Sequence, residues 1–197
     1  MIRSSTAAIL PNDHRAHQGG WLFLAMLLVF FLASLLLYGI YVLTRRDDPY
    51  RSAPLPVAFL ASSALLIAIS GMLHRATFAV RRDQWVKTTT LLASSGLLAI
   101  VFLGIQVVAM LQMLQETAVV AGYGRGVVGM VIVLAVLHGL HVAGGVIALG
   151  IVTARSAVGK YDHERHFAVD FSARYWHFLD LIWLLMLAAF WGTTGGF

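Results

Sequence analysis

In the stretch "LAVLHGLHVAGG" (134–145) two histidines, His138 and His141, stand three residues apart among apolar and glycine residues. A second pair with the same spacing, His177 and Asp180, lies in "YWHFLDLIW" (175–183), and His74 closes a third apolar stretch, "LLIAISGMLH" (65–74). Residues at i and i+3 share a helix face, so each pair aims two polar groups in nearly one direction. Imidazoles in that setting have three chemistries open to them. From facing helices they can hold a haem iron by its two axial positions. As neutral groups they can hydrogen-bond to a carboxylate, a serine or a backbone carbonyl and pin helices together. With Asp180 they can form part of a proton relay.

The elements that carry these residues follow from composition. Of 197 residues 59% are hydrophobic and 12% charged, with no cysteine, whereas a soluble domain has about a quarter of its residues charged. Apolar runs cover 20–43, 55–79, 88–114, 126–153 and 175–191, each near or above the roughly 20 residues that cross a bilayer as a helix. The chain therefore reads as an all-α, multi-pass membrane protein with a single domain of five transmembrane helices. Short polar linkers hold most of the charge and leave no room for a second domain. The residues before Gly20 lack a long apolar core behind a basic start, so no cleaved signal peptide is expected.

Counting basic residues at the helix ends sets the orientation. Arg3, Arg15, Arg75, Arg81, Arg82, Lys87, Arg155, Lys160, Arg165 and Arg174 lie on the side of the N-terminus, and Arg45, Arg46, Arg51 and Arg125 on the other. That excess places the N-terminus in the cytoplasm. The net charge of +5 is then a topology signal and does not call for nucleic acid, because the charges flank helices instead of forming one basic surface. The missing cysteines remove disulfides, iron–sulfur clusters and thiolate copper sites.

Depth separates the three chemistries. At 1.5 Å per residue, His138 lies roughly 18 Å along the fourth helix from its outer end, while His177 stands at the start of the fifth run and His74 at the end of the second. A midplane haem on His138 would lack its second ligand. A relay is poorly supplied too, because Asp180 is the one carboxylate well inside an apolar run. Hydrogen-bonded fastening is the reading that remains. Ala135, Gly139 and Ala143 form a ridge of small residues beside the pair, which predicts close approach of a neighbouring helix there.

Taken together, "HGLHVAGG" (138–145) on the penultimate helix and "YWHFLDLIWLLM" (175–186) on the last strongly resemble subunit III of the haem–copper oxidases. "LPVAFLASSALLIAISGMLHRA" (55–76) and "GIQVVAMLQ" (104–112) are similar to two further helices of that family, so the resemblance spans all five helices and points to the shorter, five-helix form. It implies a subunit with no cofactor of its own, docked against the catalytic subunit I, which carries haems and copper, with subunit II in the same complex. It also implies bound phospholipid and support for proton uptake during electron transfer to oxygen in a prokaryotic cell membrane. His138, His141, Tyr175, Trp176, His177 and Asp180 match the family's motif positions; among them His138, His141, His177 and Asp180 are expected to be structural, interhelical polar groups.

The departures are specific. Family members often carry a buried glutamate in the first helix of this core, where this chain has Met26 and Leu27, and another after the third-helix glutamine, where it has Ala109 with Gln112 one turn on. Any proton-handling role of those glutamates is not transferable. A quinol oxidase or nitric oxide reductase accessory subunit is the alternative within this resemblance, and a haem-b membrane anchor the alternative outside it.

Some residues call for lesser roles. Trp21, Tyr38, Tyr41, Trp176 and Trp191 are expected at the membrane interface, where amphipathic rings belong. Arg174, Trp176 and His74 are candidates for a lipid headgroup site on the cytoplasmic side. The loop "YDHERHF" (161–167) has the side chains for a surface metal, but reads better as a solvated segment facing a partner.

Overall fold

The computed structural model describes residues 11–45, 55–121, 126–161 and 166–194. They form five helices: α1 (Pro11–Thr44), α2 (Ala58–Val80), α3 (Trp85–Ala121), α4 (Val127–Ala157) and α5 (Phe167–Thr194). All five are long and apolar enough to span a membrane, and no strand occurs among the described residues. In hydrocarbon every backbone N–H and C=O must be satisfied internally, which an uninterrupted helix achieves by itself.

Helices α2, α3, α4 and α5 pack in a closed ring in that order, while α1 lies outside it against α4 and α5 only. Opposite members of the ring are too far apart for backbone contact, so large side chains must fill the middle. Trp183, Phe59, Phe102, Leu66, Ile69 and Leu92 do this, and all are fully buried. The outward faces stay apolar: Leu22, Val29 and Leu36 of α1 and Leu97 and Val107 of α3 are exposed in the isolated chain. In a bilayer acyl chains cover them at no cost.

Two polar ties fix the ring at one end. Arg81, just past α2, donates from Nη2 to Asp170 Oδ2 at 2.9 Å in the first turn of α5, and Thr89 of α3 hydrogen-bonds to Ser156 of α4 at 2.8 Å. At the other end Tyr38 of α1 meets Thr193 of α5 in a short hydrogen bond. The tight turn from α2 to α3 has Asp83 at φ 53°, a left-handed conformation that aspartate accepts more readily than most side chains.

The last helix departs from the sequence reading in a way that matters for function. It starts at Phe167, eight residues before the apolar run at Tyr175, or about 12 Å further out. Trp176 thereby sits well inside the bundle and is 1% exposed; it is a core residue, not an interface anchor. Tyr38 is likewise buried, whereas Trp21 and Trp191 are exposed as expected for the belt. Of the basic residues that set the orientation, Arg3, Arg46, Arg51, Arg125 and Arg165 lie outside the described residues, as does 162–165 of the "YDHERHF" loop.

Candidate functional site

The polar groups singled out in the sequence divide between the two seams that flank α5. On the α4 side, the Tyr175 hydroxyl donates to the backbone carbonyl of His141 at 2.8 Å. One turn along α4, a Cβ at Gly145 would stand 2.9 Å from Tyr175 Cε1 and 3.5 Å from Trp176 Cζ2. The glycine of one motif and the Tyr–Trp pair of the other are thus two halves of a single contact. The ridge of Ala135, Gly139 and Ala143 is not where the close approach occurs. It walls an apolar groove of about 360 Å³ between α3 and α4, opposite Phe102 and Gln106, and a Cβ at Gly139 would meet nothing within 4 Å.

The two histidines of α4 share Phe31 and differ in their other neighbours. His138 is 1% exposed, with its ring 5.5 Å from that of Trp183 and 6.0 Å from that of Phe31. Neither of its ring nitrogens has a hydrogen-bond partner. His141 faces α1, lying 5.0 Å from Phe31 and 5.8 Å from Phe30, and its Nδ1 pairs with the carbonyl of Leu137 one turn back on its own helix. The expected fastening by imidazole hydrogen bonds between helices is corrected for these two: both rings pack against aromatics, and the bond that crosses from α5 uses the backbone of His141. Trp183, which the sequence reading left without a role, does what the imidazoles were expected to do. Its indole Nε1 donates to Ser63 Oγ of α2 at 2.9 Å, and its ring touches those of Phe59 on α2, Phe102 on α3 and His138 on α4. It joins all four helices of the ring. A lone tryptophan in mid-span was the available signal.

The second seam, between α2 and α5, gathers the remaining candidates. Ser70 of α2 forms a short hydrogen bond with His177 Nδ1, and Asp180 lies one turn beyond His177 on the same side of α5. His74, one turn below Ser70, has its ring 6.1 Å from that of His177. His177 stands ten residues inside α5, about 15 Å from its start and about 9 Å short of Trp183, the neighbour of His138, and it faces α2. Among the described residues no hydrogen bond joins Asp180 to His138 or His141. The relay, already poorly supplied by the sequence, has no direct hydrogen-bond link among these three in the described residues. These groups do not close into a metal site either: no cluster of three or more candidate ligands occurs among the described residues.

The three proposed headgroup ligands do not converge. Trp176 is buried in the core, out of reach of any headgroup, and His74 stacks edge-on against Phe78. Arg174 is elsewhere, between α1 and α5, with its guanidinium 5.8 Å from the Trp21 ring and 5.9 Å from the Phe167 ring. There α1 approaches closely because Gly20 faces Phe171, whose ring would stand 3.0 Å from a Cβ. His17 adds an edge contact to Phe167 at 4.8 Å.

Comparison with known families places this geometry. The model of the family "Cytochrome c oxidase subunit III" matches residues 21–193, which take in all of α2–α4, α1 from Trp21 onward and all of α5 but its last residue. The chain belongs to that family. A subunit III relative from Thermostichus vulcanus is 26% identical over 200 residues, covering 92% of both chains. One from Marchantia polymorpha is 30% identical over 74% of this chain, and one from Pylaiella littoralis 40% identical over 36% of it. All three are called cytochrome c oxidase subunit 3. The chain spans about half the length of the Marchantia relative and about a quarter of the Pylaiella one. Its family and its five membrane-spanning helices make it an integral, multi-pass membrane protein.

Proposed function

We propose that this chain is the non-redox subunit III of a respiratory haem–copper oxidase in a prokaryotic cell membrane, with its N-terminus in the cytoplasm. It stands against the catalytic subunit I, in a complex that includes subunit II, stabilises subunit I and supports proton uptake near its entrance during electron transport to oxygen. The observation that carries the reading is the family match running through all five helices. The reading assigns haems and copper to the partner subunits and none to this chain. His138, buried at the centre of the bundle, has the rings of Trp183 and Phe31 as its aromatic neighbours. Phospholipid is expected at the Arg174, Trp21 and Phe167 cluster, where a cation sits among aromatics at a helix end.

Deleting this chain from the complex tests the role. The oxidase lacking it should keep its haem spectrum and initial turnover with its electron donor, yet lose activity after far fewer turnovers, with slower proton uptake. Undiminished endurance without the chain would remove the proposal. The purified chain alone should show no Soret band with or without dithionite; a stoichiometric band would return the haem-anchor reading.

A further inference from the structure

The seam between α2 and α5 carries its polar groups outward. His74 and His177 are exposed in the isolated chain, Ser70 and Asp180 half-buried, and the same faces continue through Ile67 (63% exposed) and Leu181 (53%). Ser70 lies ten residues from the Val80 end of α2, and Asp180 ten residues past Asp170. Both therefore stand about 15 Å from the Arg81–Asp170 pair, midway through a hydrocarbon core of about 30 Å. The Ser70 hydroxyl pairs with His177 Nδ1, and half-buried Asp180 lies one turn from His177 on the same side of α5. The outer faces of α1 and α3, by contrast, are lined by Leu36, Val29, Leu97 and Val107.

Ionisable side chains facing hydrocarbon are costly and as a rule pair with one another or face the interior of an assembly. A lipid cannot meet that need here, because its headgroup stays at the interface and only acyl chains reach this depth. We infer that the α2–α5 seam is the docking face for a transmembrane helix of another oxidase subunit, which sets a hydrogen-bonding side chain (hydroxyl, amide or imidazole) against Ser70, His177 and Asp180. The inference rests on the proposed membership of the oxidase assembly and adds which face is buried in it. Ile67, Leu181 and Leu184 supply the apolar rim of the contact.

The test uses the whole complex with a benzophenone amino acid placed at Ile67 or Leu181 and, as controls, at Leu36 of α1 or Val107 of α3. Irradiation should give adducts between Ile67 or Leu181 and a polar-bearing transmembrane helix of a second oxidase subunit, with the controls labelling lipid. Adducts to oxidase subunits from Leu36 or Val107 alone would overturn the face while leaving the proposed function in place. Adducts from the seam to lipid only, or to a second copy of this chain, would also overturn it. Failure of the chain to co-purify with any oxidase subunit would remove the proposed function itself. As a second readout, Asp180→Leu should lower retention of the chain in detergent-purified oxidase about tenfold, the worth of an interhelical hydrogen bond in a bilayer of about 1–2 kcal/mol. Asp180→Asn should lower it less, and the chain's level in the membrane should hold in both. Equal retention of Asp180→Leu and the parent would count against the inference.

Discussion

The two seams of α5 are built on opposite physical terms. Against α4, the fit is one of shape: Gly145 receives Tyr175 and Trp176, and His138 lies on Trp183 without a hydrogen bond. Against α2, the fit is one of polar pairing, from Arg81–Asp170 at one end through Ser70 and His177 to Ser63–Trp183. In a bilayer there is no hydrophobic drive between helices, so association depends on dispersion contacts and on hydrogen bonds. Shape matching gives a contact that tolerates no added atom, while polar pairing leaves capacity for a further partner. The α4 seam therefore reads as the bundle's lock, and the α2 seam as a surface that serves both this chain and its neighbour.

Trp183 belongs to both seams, so its removal should have the largest effect. Trp183→Ala should lower stability by about 3–5 kcal/mol, the range for emptying a large buried aromatic site, seen as earlier unfolding in a detergent–SDS titration. A loss under about 1 kcal/mol would show that the ring does not need a central plug. Next comes the lock itself. Gly145→Ala sets a Cβ against Tyr175 and should cost about 1–3 kcal/mol as overpacking; if adding Tyr175→Ala restores most of it, the shape argument holds. Tyr175→Phe leaves the His141 carbonyl without its interhelical donor and should cost about 0.6 kcal/mol, the mean for such bonds in a membrane. A loss as large as that of Gly145→Ala would make the α4 seam polar after all. Smallest is Arg81→Ala, whose guanidinium is half-exposed. An ion pair of that kind is worth less than about 1 kcal/mol and weakens with salt. A salt-independent loss would show that the pair is shielded in the assembly.

How much of this was legible in the sequence depends on the physics behind each feature. The five helices were, because a bilayer demands apolar runs of a set length and helical backbone within them. The partners of the side chains were not. His138 and His141 are three residues apart, so they point about 60° apart around α4. With α1, α3 and α5 all packed on that helix, such an angle is enough to change the neighbour, and one ring meets Trp183 while the other meets Phe30. Trp176 was misplaced because the apolar run understates the helix: Phe167, Asp170 and Arg174 precede it as amphipathic turns. The ridge of Ala135, Gly139 and Ala143 was expected to receive a neighbouring helix closely and instead walls a groove, because spacing does not tell whether another helix lies on a small-residue face. The motif pairing of "HGLHVAGG" with "YWHFLDLIW" proved sound as a family signature, and its physical content turned out to lie in a glycine and two aromatic rings.

The position of α1 has a consequence for how the protein is made. Among the described helices it is first in the chain, yet the surfaces it packs on belong to α4 and α5, and none to α2 or α3. A ribosome delivers helices in order, so α1 enters the membrane with its docking site still unsynthesised. It must wait, alone or in the care of the insertion machinery, until Phe171 arrives opposite Gly20 and Thr193 opposite Tyr38. Release of the final helix is then the event that gathers the first one in, and a nascent chain halted before α5 should present α1 to any membrane chaperone that holds unpaired helices.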